Sequence, residues 1–254
     1  MAGWCYFESI VADIIVIVMP EKQKGGVNID PQEMLAAGLH FGHRVSVSHP
    51  KMKPFLFGVR NAVQIIDLEK AAEKLKEALV FIQASIKDGK TILLVGTKIQ
   101  IKGMLEETAK ECGLPWVSER WLGGTLTNFE TIKKRVDYLK NLEIQKASGG
   151  LEKYTKKERM KIEKEMQDLE KRLGGIKDLA KLPDIVFVCD LKKDSLAVRE
   201  AHQRNIKVVG IVDTNIDPTL ADYPILANDD AATSVRYVLG KVKEAILEVK
   251  EMAK

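Results

Sequence analysis

Short runs of consecutive apolar residues alternate with longer amphipathic segments along most of the chain. Such runs are typical of strands buried on both faces, because those strands need no polar side. Strand–helix–strand alternation of this kind predicts a parallel sheet that is covered by helices on both faces. The predicted strands are Thr91–Val95, a short run near Trp116, Asp184–Val188, Lys207–Val212 and Pro224–Leu226.

Amphipathic helices are predicted between these strands and at the end of the chain. From Leu68 to Ile86 apolar residues recur every three or four positions, and the same spacing recurs from Ala231 to Met252. A further helix is predicted over Asp194–Arg204. Near the amino end, Asp30 precedes Pro31 in the pattern of a capped first helical turn.

The alternation stops between Trp116 and Asp184, where two narrow apolar stripes at helical spacing take its place. A Gly-Gly pair lies between the stripes and another follows the second, which predicts an antiparallel helical hairpin. We expect a parallel α/β domain from residues 29–127 and 176–254, with a coiled-coil hairpin of residues 128–175 inserted in it. The two stripes are Phe129, Ile132, Val136, Leu139 and Ile162, Met166, Leu169, Leu173.

The first 28 residues do not fit either part. Ile10 to Met19 is nearly all apolar, but it contains Asp13 and has no basic flank before it. The run is also much shorter than the ~20 residues that span a bilayer. We expect residues 1–28 to be an extension that is either disordered or the result of a wrongly assigned start, in which case Met19 is the genuine start.

Positive charge is concentrated in two parts of a chain whose net charge is only +4. The segment from Arg44 to Arg60, within a predicted loop rich in His and Pro, carries Lys51 and Lys53 as well and no acid. Residues 127–175 contain 13 basic and 9 acidic residues. Clustering of this kind is typical of a nucleic-acid footprint.

The segment Arg120–Ile132, RWLGGTLTNFETI, has a composition suited to holding a polyanion. Glycine lets a backbone approach closely, arginine forks onto phosphate, and Thr and Asn bond to phosphate or sugar. Trp121 fits two roles equally, stacking on a base or anchoring the segment in the core. Asn128 also suits a helix N-cap before Phe129.

The chain lacks the local motifs of the common enzyme classes. No phosphate-binding glycine loop follows a strand, and no nucleophile elbow is visible. His40, His43 and His49 lack the spacing of a zinc site, and the acidic residues from Asp213 to Asp217 lack the rest of a calcium loop. The odd set Cys5, Cys112 and Cys189 suggests no disulfide framework. We therefore expect no catalysis, no metal and no cofactor.

Four separated blocks, in order, resemble the ribosomal protein S2 family in its bacterial form. The segment Arg44–Ser48 departs from the family pattern, which has a Trp-Asn pair before Pro-Lys-Met. The blocks are Gly38–His43 with His49–Pro54 and Phe57–Asn61; Arg120–Ile132; Pro183–Glu200; and Asp213–Pro218 with Asp222–Pro224 and Asn228–Ala231.

This resemblance implies a three-layer flavodoxin-like fold with parallel strand order 2-1-3-4-5 and an inserted coiled-coil hairpin. It implies a cytoplasmic, ribosome-bound and non-enzymatic protein of the small subunit that is neither membrane-bound nor a homo-oligomer. The implied partners are the 16S rRNA and neighbouring small-subunit proteins, including ribosomal protein S1.

The residues that we predict to contact RNA come from both basic parts of the chain. Lys133, Lys134 and Arg135 run across helical faces, so at most two of them can meet one partner. Two other functions stay open at this point, a nucleotide- or flavin-binding enzyme and a coiled-coil adaptor that binds only protein. The predicted RNA-binding residues are Arg44, Lys51, Lys53, Arg60, Arg120, Trp121, Lys133, Lys134 and Arg135.

Overall fold

A computed structural model describes residues 29–151 and 153–252, so the predicted extension of residues 1–28 lies outside the described part. The helices are α1 (Pro31–Ala36), α2 (Leu68–Lys87), α3 (Lys102–Cys112), α4 (Phe129–Ala147), α5 (Lys156–Leu173), α6 (Ser195–Gln203) and α7 (Ala232–Met252). The strands are β1 (Phe41–Arg44), β2 (Leu56–Arg60), β3 (Val63–Ile66), β4 (Ile92–Val95), β5 (Trp116–Val117), β6 (Ile185–Val188), β7 (Lys207–Val212) and β8 (Tyr223–Leu226).

A five-stranded parallel sheet forms the centre of the molecule. Its strands lie in the order β5-β4-β6-β7-β8, which is 2-1-3-4-5 when the strands of this sheet are numbered along the chain. Both predictions, the parallel sheet and its order, are confirmed. In one row Leu94 pairs with Phe187, which pairs with Val209. All residues of β4 and β6 are buried, as the continuous apolar runs predict.

Helices cover the sheet on both faces. Helix α3 leads from β4 to β5, whereas α6 leads from β6 to β7 in the opposite direction along the sheet. Right-handed crossovers therefore place α3 and α6 on opposite faces. Helices α2 and α7 pack against each other, and α7 also packs against α3. The result is the flavodoxin-like three-layer fold.

Helices α4 and α5 follow one another between β5 and β6. The two helices contact each other, and Ile132, Val136 and Leu139 on α4 and Met166 on α5 are buried. Thr155 and Glu158 form a capping box at the start of α5. The coiled-coil character of this α4–α5 pair and the division of the chain at residues 128 and 175 stay predictions.

The predicted loop between His40 and Asn61 is wrong in one respect, because it contains two strands. Strands β1 and β2 flank β3 in a separate antiparallel sheet of order β1-β3-β2. Both strand pairs contain a register shift, and Gly, Pro and His interrupt the apolar–polar alternation of the sequence. The alternation that would have identified β1 and β2 as strands is therefore absent.

No helix within residues 29–151 and 153–252 is long and apolar enough to cross a membrane.

Candidate nucleic-acid interface

Arg44 and Arg60 lie in one row of the three-stranded sheet. Each pairs with Val63 of the central strand, one from β1 and the other from β2. Residues directly opposite one another share a face, and two strand spacings separate the two arginines by about 10 Å. Both side chains are exposed and make no ion pair within the described residues. The sheet thus presents two free guanidinium groups side by side.

A tight turn fixes the position of Arg60. Asn61 and Ala62 join β2 to β3 with φ values of 50° and 62°, as a two-residue hairpin of the primed type requires. Asn adopts this left-handed conformation readily, whereas Ala does so at a cost. The turn therefore holds Arg60 opposite Val63 in the row with Arg44.

Two exposed aromatic side chains, Phe41 and Phe57, lie on the same three-stranded sheet as the two arginines. Phe41 pairs with Ile65, two residues from Val63, and therefore lies on the same face of the sheet as the arginines. Phe41 is 50% exposed and Phe57, at the register shift of β2, is 77% exposed. Exposed aromatic residues beside cations are typical of a surface that meets a partner.

Lys51 and Lys53 lie on the 3-10 helix Pro50–Phe55, which His49 caps through Nδ1. Lys53 is exposed and makes no ion pair in the described part of the chain. Lys51 instead lies 2.6 Å from the Asp217 carboxylate and donates to the Thr219 hydroxyl. The Lys51 ammonium holds the pKa of Asp217 well below its usual range. Lys53 is the freer of the two predicted contacts.

The three-stranded sheet is attached to the loop that follows β7. The His43 N–H donates to the Thr214 hydroxyl and the His49 N–H to the Thr214 carbonyl, both at 2.8 Å. A Cβ atom on Gly42 would lie 2.4 Å from the Thr214 side chain, so glycine permits this close approach. The exposed arginines are thereby placed at the carboxyl end of the parallel sheet.

The segment from Arg120 to Asn128 does hold an anion, but the anion is the protein's own Glu200. Glu200, on α6, is 4% exposed, and its two oxygens accept bonds from the segment between 2.9 and 3.2 Å. Gly124, with φ of 93°, supplies one of the backbone donors. The donors are the Trp121 indole N–H, the backbone N–H groups of Gly124, Leu126 and Thr127, and the Thr127 hydroxyl.

These bonds keep Glu200 ionised and fix the segment on α6. Burial would raise the pKa of Glu200, but the donated hydrogen bonds outweigh burial and lower it below the usual value. Arg204, one turn further along, donates to the Thr127 carbonyl. The glycine and threonine donors that the sequence suggested for phosphate are therefore already used within the fold.

Arg120 and Trp121, neighbours in sequence, have different surroundings. Trp121 is 6% exposed and bonded to Glu200, so its ring is not presented to solvent. Burial favours the core-anchor role that the sequence left open for Trp121. Arg120 is exposed. It lies beyond β5, at the opposite edge of the parallel sheet from β8.

Lys133, Lys134 and Arg135 are all exposed on the first turns of α4. Successive residues of a helix point about 100° apart, so the three cations spread over more than half of its circumference. The buried Ile132 and Val136 mark the side that packs inward. Lys134 is the residue directed most directly outward, and the other two flank it.

The carboxyl end of the sheet contains a cavity of about 240 Å³, lined mainly by charged groups. The Lys98 ammonium, which follows β4, lies at its centre, 2.8 Å from Asp190, 3.0 Å from Asp229 and 2.9 Å from Asp230. Burial would lower the pKa of Lys98, but bonds to Asp190 and Asp230 raise it well above its usual value. His43 enters the same cavity.

The pKa values of the carboxylates around this cavity are shifted in different directions. Burial and the neighbouring charges of Asp190 and Asp213 raise the pKa of Asp229 to about 6. The hydrogen bond from Lys98 instead lowers the pKa of Asp230. His43 Nδ1 lies 3.1 Å from Asp213, and this contact raises the histidine pKa. The cavity lining therefore contains three carboxylates, Asp190, Asp229 and Asp230, together with His43 and the three lysines Lys98, Lys192 and Lys193.

The three histidines are not one cluster. His40 is half-buried against Phe41, and burial lowers its pKa. Ligand atoms of His43, Asp229 and Asp230 lie within 4.8 Å of one another, a spacing that could hold a metal ion. The sequence prediction considered local histidine spacing only, and the two aspartates come from a distant loop after β8.

Sequence reasoning missed Glu200 and Lys98, although each carried a signal. Glu200 lies beside Ala201 and three residues after Ala197 in the predicted helix, and Lys98 lies three residues after the predicted strand Thr91–Val95. A charge in either place requires a partner, because an unpaired buried charge is very costly. The partners of Glu200 lie 73 to 79 residues away and those of Lys98 lie 92 to 132 residues away, so only the fold could identify them.

Comparison with known proteins agrees with this architecture. Residues 34–249 match the model of the family described as ribosomal protein S2. The small ribosomal subunit protein uS2 of Geotalea uraniireducens is 48% identical over 221 residues, which is 87% of this chain and 86% of the relative. The protein of the same name from Dictyoglomus thermophilum is 46% identical over 221 residues, 87% of this chain and 90% of the relative. The chain therefore belongs to the ribosomal protein S2 family, whose members are structural and non-enzymatic.

Proposed function

We propose that this protein is a structural component of the small ribosomal subunit in the cytoplasm, binds 16S rRNA and helps to seat ribosomal protein S1. Family membership supports the ribosomal role. The observation that carries the RNA contact is the row in which Arg44 and Arg60 flank Val63 without an acidic partner in the described chain. Two exposed, adjacent guanidinium groups repel one another unless an anion compensates them, and RNA phosphate is such an anion.

Recognition relies on phosphate and shape rather than on base sequence. The proposed contacts are exposed side chains on rigid elements, led by Arg44, Arg60 and Lys53. Arg120 lies at the far edge of the sheet, four strand spacings or about 19 Å from the β8 side. Lys133, Lys134 and Arg135 provide a third group on α4. We leave out Trp121, because its ring is buried, and rank Lys51 below the others, because Asp217 already neutralises it.

The cavity at the carboxyl end of the sheet disfavours the nucleotide- or flavin-binding alternative. Flavodoxin-like sheets bind phosphorylated cofactors at this position. Here Lys98 is surrounded by Asp190, Asp229 and Asp230, with Asp213 close behind. A phosphate group placed there would meet the carboxylates of Asp190, Asp229 and Asp230 and would have to displace Lys98 from all three, and the remaining cations of the lining are His43, Lys192 and Lys193.

The seat for ribosomal protein S1 is proposed on the three-stranded sheet. Phe41 and Phe57 expose apolar rings beside Arg44 and Arg60, which suits an apolar and acidic protein segment. The other proposed partners are neighbouring small-subunit proteins, and the protein acts as a single copy. We also propose that residues 128–175 form an inserted coiled-coil hairpin that separates residues 29–127 from 176–254.

The RNA contact is tested with the double variant R44Q/R60Q. We expect the logarithm of its affinity for 16S rRNA to depend less steeply on the logarithm of salt concentration, by about 2 in slope, since each phosphate contact contributes about 1. The variant K87Q/K90Q removes two exposed lysines, the last residue of α2 and one in the turn after it, and is the matched control. Equal slopes for both variants would contradict the proposed contact.

The S1 seat needs a separate experiment. Small subunits reconstituted with the Phe57→Ser variant should contain this protein at the normal level but less bound S1 after sedimentation. Val80→Ser serves as the control, because Val80 is 57% exposed on α2, away from the three-stranded sheet. Normal S1 content in the Phe57→Ser particles would contradict this part of the proposal.

A further inference from the structure

The outer side of α5 carries a row of cations that the sequence analysis did not single out. At about 100° per residue, these side chains fall within an arc of about 100° opposite buried Met166 and Leu173. All are exposed, and none makes an ion pair in the described part of the chain. The α5 cation row consists of Lys157, Lys161, Lys164, Lys171 and Arg172.

The acids of α5 are largely engaged elsewhere. Glu158 closes the capping box with Thr155 at the start of the helix. Glu163 lies 3.8 Å from Lys146 of α4, and Glu170 lies 2.5 Å from Lys177, which also contacts Glu143 of α4. Glu163 and Glu170 therefore lie on the side of α5 that faces α4 and Lys177, and the α5 cation row lies on the outer side.

Two acids remain on the exposed surface near the row, Glu165 and Asp168. They reduce the excess of five positive charges to three. From Lys157 to Lys171 the row extends about 21 Å, at 1.5 Å per residue. A rigid row of this length, with a net excess of cations, fits a linear polyanion better than a compact ligand.

We propose that the α5 cation row binds the phosphate backbone of a double-helical RNA segment. The helix contains no Phe, Tyr or Trp, so it offers no stacking surface for the bases of a single strand. Double-stranded RNA is recognised through its phosphates and its shape, which a straight row of lysines can follow. This inference rests on the proposed function, since the RNA in question is the rRNA, and adds a surface separate from the row of Arg44 and Arg60.

The test compares the triple variant K157Q/K161Q/K164Q with the control K87Q/K90Q/K110Q in the full-length protein. Glutamine is nearly as good a helix former as lysine, so helix content by circular dichroism should not change. The control removes the same charge from exposed lysines on α2, the turn after it and α3. Binding is measured against salt with 16S rRNA, with an RNA duplex of about 20 base pairs, and with a single strand of equal length.

For the triple variant, we expect the slope of log affinity against log salt concentration to become less steep by about 3. We also expect its affinity for the duplex to fall at least about tenfold at ~0.1 M salt. The control variant should show neither change. If the unchanged protein binds 16S rRNA but the triple variant matches the control, this inference is overturned and the proposed function stands. If the unchanged protein does not bind 16S rRNA, the proposed function itself fails. Unchanged RNA binding with loss of an acidic neighbouring protein from reconstituted particles would assign the row to protein and also overturn the inference.

Discussion

Replacing Glu200 by alanine tests whether the Arg120–Asn128 segment is held by this single carboxylate. The substitution leaves five hydrogen-bond donors without their acceptor. Trp121 and Leu126 are 6% and 0% exposed, so water cannot easily replace the acceptor for their N–H groups. Each unsatisfied buried donor costs about 1–3 kcal/mol. The other three donors are partly exposed and recover water.

The expected total loss is about 3–5 kcal/mol of unfolding free energy, close to the cost of breaking a buried ion pair. Such a loss is a large share of the 5–15 kcal/mol typical of a folded protein. In a protein of this size it lowers the melting temperature by roughly 10 °C. Urea unfolding followed by circular dichroism and by tryptophan fluorescence would measure both the total loss and the loosening of Trp121.

The isosteric variant E200Q keeps the shape of the side chain but removes its charge and one acceptor oxygen, so it separates the contribution of the carboxylate from that of packing. The amide keeps one acceptor oxygen and turns an NH₂ group toward N–H donors, so we expect about half of the alanine loss, ~2 kcal/mol. Because the folded pKa of Glu200 is depressed, its contribution is present above the unfolded value of 4.5 and is lost as the pH falls through the folded pKa. The difference between the native protein and E200Q should therefore shrink below about pH 4.5.

The control is Glu119→Ala, which removes an exposed acid paired with Lys102 at 2.6 Å. An exposed pair of this kind contributes at most about 1 kcal/mol. A loss below about 1 kcal/mol for Glu200→Ala, no larger than that of the control, would refute the role assigned to Glu200.

Further predictions concern the packing of two glycines, the titration of His43 and the ion pair between Lys51 and Asp217. Gly175→Ala should destabilise the protein by about 2–3 kcal/mol or more, because the added Cβ would lie 2.2 Å from the backbone oxygen of Trp116. Gly240→Ala should instead stabilise the protein by about 0.5–1 kcal/mol, because Gly240 lies in mid-helix with open space around it. Thermal unfolding of both variants measures the two effects. The pKa of His43 is raised above 6.5, so its stabilising contribution is full below pH 6.5 and lost as the pH rises through the folded value; His43→Gln should remove that slope in urea unfolding between about pH 6 and 8. Lys51→Gln should return the pKa of Asp217 toward its usual range in an NMR titration, and no change there would contradict their pairing.

The parallel sheet could be predicted because its strands are buried on both faces and so read as unbroken apolar runs. Ile185–Val188 is an example, with every residue buried. The order of the strands came from the family resemblance, since apolar runs do not specify which strands are neighbours. Strands β1 and β2 were not predicted, because they lack the unbroken apolar runs of the parallel sheet. They are short, exposed on one face and irregular in register, so no alternation marks them.

The charged centre at the carboxyl end of the sheet could not be predicted, because its members come from four loops. Lys98 and Asp229 are 131 residues apart in sequence, and they meet because the carboxyl ends of β4 and β8 lie on the same side of one parallel sheet. Local spacing, on which the prediction of no metal at His43 was based, carries no information on such a meeting. In a parallel sheet, the carboxyl end of the strands is therefore the place to search for distant partners of a charged residue that lies shortly after a strand.

The Arg120–Asn128 segment shows that local composition can identify a chemistry without identifying the partner. Two glycines, threonine and tryptophan predicted an anion-binding segment, and the segment does bind a carboxylate through N–H and hydroxyl donors. The anion is internal because α6 places Glu200 within reach, and an acid within the fold competes with RNA at a far higher effective concentration. Donors that an internal acid has satisfied are not free for phosphate. Candidate RNA contacts are therefore best sought among exposed cations without acidic partners, which retains Arg44 and Arg60 and adds the α5 cation row.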